Sequence, residues 1–177
     1  MKIIDNKALL LRLRNPQKVT QVIPKSRELP NNEVVVKWGT DEAHLLKNLN
    51  IKVPSPIEGK YKWTGKYKPF DHQKTTSSFL TLNKRAFCFN EQGTGKTASA
   101  IWASDYLLNV GRVRRVLIVC PLSIMDSAWR NDLFTFAMHR KVAVAYGAPK
   151  KRRAIIESDA EYVIINYDGV EIVHDAI

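Results

Sequence analysis

Arg85 to Thr97, RAFCFNEQGTGKT, is the stretch on which the reading of this chain turns. Its apolar run Ala86-Phe87-Cys88-Phe89 predicts a short strand leading directly into Gly93-Thr94-Gly95-Lys96-Thr97. Helix-forming sequence follows at once, with Ala98, Ala100, Ile101, Trp102, Ala103, Leu107 and Leu108. Strand, glycine loop and helix in that order are the setting of a phosphate-binding loop. Glycines let successive backbone N–H groups point at one phosphate, and the helix N-terminus adds its partial positive charge. In that role Lys96 reaches the β- and γ-phosphates and the Thr97 hydroxyl holds Mg²⁺. The full pattern G-x-x-x-x-G-K-[ST] asks for glycine where Asn90 stands, so the residues meet the motif in its core. A glycine turn without a ligand is the competing reading of the loop taken alone.

Downstream, Gly111 is placed to close the loop helix, and Arg115 to Cys120 predicts a buried strand ending in Pro121-Leu122-Ser123. A helix is expected from Met125 to Ala137, with Trp129, Leu133 and Phe136 at helical spacing. Lys141 to Tyr146 predicts a strand, the run containing Lys150, Lys151, Arg152 and Arg153 a basic helix, and Glu161 to Tyr167 a further strand. This alternation argues a parallel sheet of α/β type. Such sheets bind ligands at the carboxyl ends of their strands, which would gather the Gly93–Thr97 loop, Pro121–Ser123 and Asn166-Tyr167. The basic helix reads equally as a solvated face or as a nucleic-acid contact.

Upstream, Asp71 is placed to cap a helix running to Asn83, and Gln73 lies 23 residues before Lys96. A glutamine amide offers the donor and acceptor needed to read the N6 and N7 edge of adenine. Residues 60–68, KYKWTGKYK, alternate lysines with Tyr61, Trp63 and Tyr67, and Thr64-Gly65 suggests the turn of a hairpin. Such a pattern serves either base stacking with phosphate neutralisation or plain packing of an aromatic face. Residues 1–53 read as a small α+β accessory domain. Leu9 to Leu13 alternates as a strand, Asn15-Pro16 turns, Lys18 to Ile23 reads as a second strand and Glu33 to Trp38 as a third. Thr40 is placed to cap a helix from Asp41 to Leu49, and Pro54-Ser55-Pro56 reads as a stiff linker. Asp41-Glu42-Ala43-His44 spells the acidic box of many nucleic-acid ATPases, but it precedes Lys96 by 52 residues, and a capped surface helix explains it.

The 177 residues carry 45% hydrophobic and 25% charged side chains, ordinary for a globular chain, with a net charge of +11 that favours a polyanionic partner. No apolar run reaches the roughly 18 residues of a membrane span, and Arg12 and Arg14 interrupt any signal-peptide core. A cytoplasmic protein is expected. Cys88 and Cys120 each end an apolar run and read as reduced core thiols, and the four histidines lack zinc-site spacing. No metal other than nucleotide-bound Mg²⁺ is indicated.

NEQGTGKT resembles the phosphate loop of Swi/Snf-type superfamily-two DNA helicases, in which an amide or acidic residue at the Asn90 position is normal. PFDHQ resembles their adenine-reading motif, VLIVCPLSIMDSAW their next motif, and VIINYDGV the one after, with Asn166 where threonine is usual. The arrangement of PSPI, YKWTG and PFDHQ ahead of the loop looks most like helicases carried by bacteriophages, with a bacterial host cytoplasm implied. The resemblance covers about residues 54–177. It implies a partial RecA-like P-loop domain with a parallel sheet, preceded by the small α+β domain. It also implies ATP and Mg²⁺ as cofactors, with Lys96 and Thr97 in catalysis and Thr97 on the metal. Phe70, Gln73, Gln92, Gly93, Thr94, Gly95, Lys96, Thr97 and Ala98 would then hold the nucleotide. Pro121, Leu122, Ser123, Asn166 and Tyr167 would contact DNA, either duplex or a duplex/single-strand junction. The family's apolar strand ending in Asp-Glu does not follow VIINYDGV here, and no second RecA-like domain follows. The expectation is therefore an N-terminal portion of an ATP-dependent helicase or translocase that is inactive alone. The alternative is a non-catalytic nucleic-acid-binding module with a vestigial loop.

Overall fold

The computed structural model describes residues 1–177. The chain packs as two units, Met1–Lys62 with Lys74–Cys88, and Trp63–Gln73 with Phe89–Ile177. These limits follow different lines from a division after residue 53.

The first unit contains β1 (Lys2–Ile4), β2 (Ala8–Arg12), α1 (Gln17–Val22), β3 (Arg27–Leu29), β4 (Glu33–Lys37), α2 (Thr40–Asn48) and α3 (Ile57–Lys60). Its sheet is antiparallel in the order β1-β2-β4-β3. Period-two alternation builds the core: Leu9 and Leu11 are buried while Arg12 is exposed, and register sets Leu9 against Val36 and Leu11 against Val34. Val19, Ile23, Trp38 and Leu46 complete that cluster.

Three expectations are corrected here. Residues 17–22 are helix, not strand. Pro16 precedes the helix in an αR conformation, and the buried pair Val19 and Ile23 has the four-residue spacing of one helical face. Helix α2 begins at Thr40, with Gly39 in the capping position. Pro54-Ser55-Pro56 is packed into the first unit: the Pro54 carbonyl accepts the indole N–H of buried Trp38 at 2.9 Å, and Ser55 is 1% exposed. A buried indole needs an acceptor, and the proline-rich turn supplies it.

Helix α4 (Asp71–Thr81) crosses from one unit to the other in sequence. The second unit continues with α5 (Lys96–Asn109), β5 (Val116–Cys120), α6 (Asn131–Phe136), β6 (Val142–Ala145), α7 (Pro149–Ile156), β7 (Tyr162–Asn166) and α8 (Tyr167–Val173). Strands β5, β7 and β6 form a parallel sheet in that order. Central β7 is buried on both faces: Tyr162 and Ile164 pack with Ile101, Ile118 and Leu133, and Val163 and Ile165 with Ala145, Ile156 and Val173. This explains its unbroken apolar run. At the outer strand β5, Ile118 and Cys120 are buried, but Leu117 and Val119 are 39% and 40% exposed. Gly111, at φ +69, ends α5, and the Arg112 N–H returns to the Leu107 carbonyl at 2.9 Å.

Ala86–Phe89 joins neither sheet, and Phe87 and Phe89 are 81% and 88% exposed. A four-residue apolar run becomes a strand only where a neighbouring edge receives it, and the parallel sheet is built wholly from residues after 115. Cys88 is accordingly half-buried outside any strand, whereas Cys120 is buried at the end of β5. The helix expected from Met125 opens as a 3₁₀ turn, Leu122–Ile124, and a π turn, Met125–Arg130, before α6 begins.

The expected 60–68 hairpin is absent. Residues 63–68 lie along α5 and α6 instead: the Thr64 carbonyl accepts the Trp102 indole N–H at 2.7 Å, the Thr64 hydroxyl donates to the Phe136 carbonyl at 2.8 Å, and the Lys66 N–H donates to the Thr135 carbonyl at 3.1 Å. Gly65, at φ +106, permits this approach, since a Cβ there would lie 2.7 Å from the Phe136 Cα.

Candidate nucleotide-binding site

Two left-handed glycines shape the loop before α5, Gly93 at φ +76 and Gly95 at φ +75. At Gly93 an added Cβ would meet nothing within 4 Å, whereas at Gly95 it would lie 2.1 Å from Nε2 of Gln73. Gly95 is thus fixed by its backbone and by its neighbour. The Lys96 ammonium turns back into the loop and donates to the Asn90 and Glu91 carbonyls, each at 2.7 Å. The Thr94 hydroxyl donates to the same Glu91 carbonyl at 2.8 Å. A phosphate oxygen, being a charged acceptor, would attract the Lys96 ammonium more strongly than the neutral carbonyls that it meets here. Thr97 is half-buried in the first turn of α5, Ala98 is buried beneath it, and Gln92 is exposed.

The first turn of α4 meets this loop. Gln73 accepts the Phe70 N–H at 3.0 Å through Oε1 and donates to the Thr94 carbonyl at 3.2 Å through Nε2. These bonds orient both ends of its amide. His72 places Nε2 3.0 Å from the same Thr94 carbonyl, and its ring stacks on Phe70 with centroids 5.7 Å apart and planes 10° apart. Phe70 is 69% exposed, so the stacked pair offers a flat aromatic surface beside the loop.

The structure therefore brings Phe70, Gln73 and the Gln92–Ala98 loop residues together. A second grouping forms at the carboxyl end of the sheet, where Cys120 and Asn166 are register partners, so Pro121 and Tyr167 follow directly from adjacent strand ends. Pro121, Leu122 and Ser123 are exposed, and the Ser123 carbonyl accepts the Ser127 hydroxyl at 2.9 Å. Tyr167 is 59% exposed, but Asn166 is only 5% exposed. Its amide is held between Arg152, whose Nη1 donates to Oδ1 at 2.8 Å, and Asp168, whose Oδ2 accepts from Nδ2 at 3.4 Å.

Sequence reasoning missed His72 and Arg152. His72 adjoins Gln73, but adjacency does not reveal which carbonyl it reaches, and Arg152 reads as one of four consecutive cations. It also missed a buried ion cluster. Asp105 of α5, fully buried, accepts from Arg140 Nε at 2.6 Å and lies 3.0 Å from His139 Nε2. Arg140 also donates to Glu161 at 2.6 Å, tying α5 to the start of β7. Burial opposes the charge on Arg140, yet the Asp105 and Glu161 carboxylates hold it above its ordinary range. Burial likewise opposes the charge on Glu161, but the Lys141 N–H and the Arg140 guanidinium hold its carboxyl below the usual range.

No helix is long and apolar enough to cross a membrane. No family model matches the chain, and no curated protein sequence matches it. The chain is similar to a solved structure, the Sulfolobus solfataricus SWI2/SNF2 ATPase core in complex with dsDNA, with a TM-score of 0.52 and 24% identity. The match covers 60% of this chain and 23% of that one, so this chain spans less than a quarter of that core's length. The likeness is one of fold: a mixed α/β chain whose three-stranded parallel sheet is consistent with part of a RecA-like domain.

Proposed function

We propose that this chain is the nucleotide-binding part of an ATP-dependent DNA helicase or translocase, with Mg·ATP held on the Gly93–Thr97 loop. The observation that carries the reading is the Thr94 carbonyl, on which Gln73 and His72 converge from α4 while Lys96 curls into the same loop. A base reader and a phosphate loop sharing one backbone group is an arrangement suited to a nucleotide. Gln73 reads the adenine edge, Phe70 lies against the base, and Gln92 to Ala98 surround the phosphates. Lys96 exchanges its two carbonyl partners for phosphate oxygens. The Thr97 hydroxyl suits Mg²⁺, which usually takes few protein ligands and completes its shell with phosphate and water. What these residues contribute is positioning and electrostatic stabilisation, the larger part of catalysis in phosphoryl transfer.

DNA as the polymer is supported by the net charge of +11 and by the duplex bound to the similarly folded core. Pro121, Leu122, Ser123 and Tyr167 would meet the backbone, with Asn166 behind them. No apolar strand ending in Asp-Glu follows the loop in this sequence. The 177 residues alone are therefore expected to bind Mg·ATP weakly at best and to turn it over negligibly.

Titration of a fluorescent ATP analogue tests the reading. Lys96→Ala should weaken binding at least about tenfold, in line with loss of a charge-assisted phosphate contact, with an unchanged Tm. Equal affinity in the variant would overturn it. DNA-stimulated phosphate release by the wild type that vanishes in Lys96→Ala would refute the expectation of negligible turnover. A second reading, a nucleic-acid-binding module without nucleotide chemistry, draws on the engagement of Lys96 by its own loop. Salt-sensitive DNA binding indifferent to ATP and to Lys96→Ala would favour it.

A further inference from the structure

Arg152 differs from its basic neighbours. Lys150 and Lys151 are exposed, and Arg153 is ion-paired with Asp175 at 2.8 Å, but Arg152 is only 7% exposed. Its guanidinium crosses the carboxyl ends of β6 and β7. Nε donates to the Gly147 carbonyl at 2.8 Å, and Nη1 donates to the Ala145 carbonyl at 2.9 Å and to Asn166 Oδ1 at 2.8 Å. The Tyr146 ring lies 5.4 Å from the guanidinium carbon. Gly169 makes room for this seat: a Cβ there would lie 2.3 Å from Nη1 and 2.7 Å from Asn166 Oδ1.

All three acceptors are neutral, and no carboxylate pairs with Arg152. Asp168 borders the site one amide away, as the acceptor of Asn166 Nδ2. The second terminal nitrogen, Nη2, makes no hydrogen bond and is not sealed from solvent. A buried charge is costly unless an opposite charge meets it. Here three bonds to neutral acceptors immobilise the fork through Nε and Nη1 and leave Nη2 as a spare donor. Around it stand Lys150 and Lys151 and two exposed rings, Tyr146 at 53% and Tyr167 at 59%.

We infer that Arg152 anchors a phosphodiester-binding site at the carboxyl ends of β6 and β7, with Nη2 on a phosphate oxygen. Lys150 and Lys151 extend the cationic track, and Tyr146 and Tyr167 flank it for sugar or base contact. The inference rests on the nucleic-acid reading above and adds Arg152 to its contacts. Exposed rings beside a cationic track suit a polymer with bases better than free phosphate.

The test is fluorescence anisotropy of the full chain with labelled single-stranded and duplex oligonucleotides over about 50 to 300 mM salt. Arg152→Gln removes the charge. Asn166→Asp keeps the local shape and sets a carboxylate against Nη1, quenching the charge without opening a cavity. Each should weaken binding about tenfold at the lowest salt and make the log–log salt slope shallower by about one. If Arg152→Gln fails to fold, Asn166→Asp decides, with a thermal melt to show that it is folded although its new carboxylate faces Asp168. Wild-type affinity and slope in Asn166→Asp would overturn the inference while leaving the nucleic-acid reading standing. Displacement of the oligonucleotide by millimolar inorganic phosphate would overturn it in favour of a free-anion site. Wild-type protein that binds neither oligonucleotide at any salt would overturn both.

Discussion

A methyl group at Gly95 meets two obstacles, a backbone at φ +75 and the Gln73 amide 2.1 Å from where the Cβ would stand. Gly93 presents only the first. Left-handed backbone costs an L-residue about 1–2 kcal/mol. Gly93→Ala should therefore lower Tm with modest loss of nucleotide affinity, whereas Gly95→Ala should also dislodge Gln73 and weaken an ATP analogue at least about tenfold. Thermal melts and analogue titration on the pair separate the two effects. Equal affinities would show that Gln73 has no part in binding. The glycines were legible in the sequence because the motif states their backbone need. Gln73 was legible through its amide chemistry and its distance from the loop together. The Arg140–Glu161 contact was not, because 21 residues and a strand separate the partners. Its consequence is a pH dependence. The Glu161 carboxyl is held below the usual range, so in acid the unfolded chain takes up its proton before the folded chain does. The contribution of this group is complete above the ordinary carboxylate range and is lost as pH falls through the lowered folded value. Acid unfolding should be less steep in Glu161→Gln, and identical acid limbs in the two proteins would contradict this.

Trp102 shows how an element is decided by what it lies against. Residues 60–68 have hairpin chemistry, but the Trp102 indole takes the Thr64 carbonyl, and its ring meets Trp63 edge-on at 5.8 Å and Phe136 at 5.0 Å. Local sequence cannot show that a tryptophan 38 positions later will capture the turn. Trp102→Phe should retain much of the packing but lose that bond, at about 1 kcal/mol, and residues 63–68 should gain hydrogen exchange before the rest of the unit does. Uniform exchange would place the strap's stability elsewhere. The parallel strands were readable for the opposite reason. β7, buried on both faces, can hardly be anything but a central strand, and Ile164→Ala should cost about 2–5 kcal/mol in chemical denaturation. Residues 17–22 were misread because Val19, Thr20 and Val22 favour strands, while Pro16 and the Val19–Ile23 spacing settle the helix.

For the whole molecule, the α/β alternation after residue 115 was visible from apolar runs and turn residues alone, but the strand order was not, because β5 pairs with β7 and not with β6, which follows it in the chain. Ala86–Phe89 read as a strand by the same rule, yet it belongs to neither sheet. The candidate site was half legible: the loop and Gln73 are named by their chemistry, but the placement of His72, Asn166 and Arg152 depends on packing that no spacing encodes. The outer strand β5, with Leu117 and Val119 half-exposed and one side of its ladder open, carries a colloidal consequence. Bare apolar strand edges invite other chains, and a net charge of +11 keeps those chains apart. Salt shortens the reach of that repulsion to about 8 Å at physiological strength. Light scattering should therefore rise with salt and with concentration, and Val119→Lys should suppress the rise. Clear solutions at every ionic strength would mean that the edge is too short to recruit a neighbour. Storage at low salt thus follows from one uncovered strand and the charge that guards it.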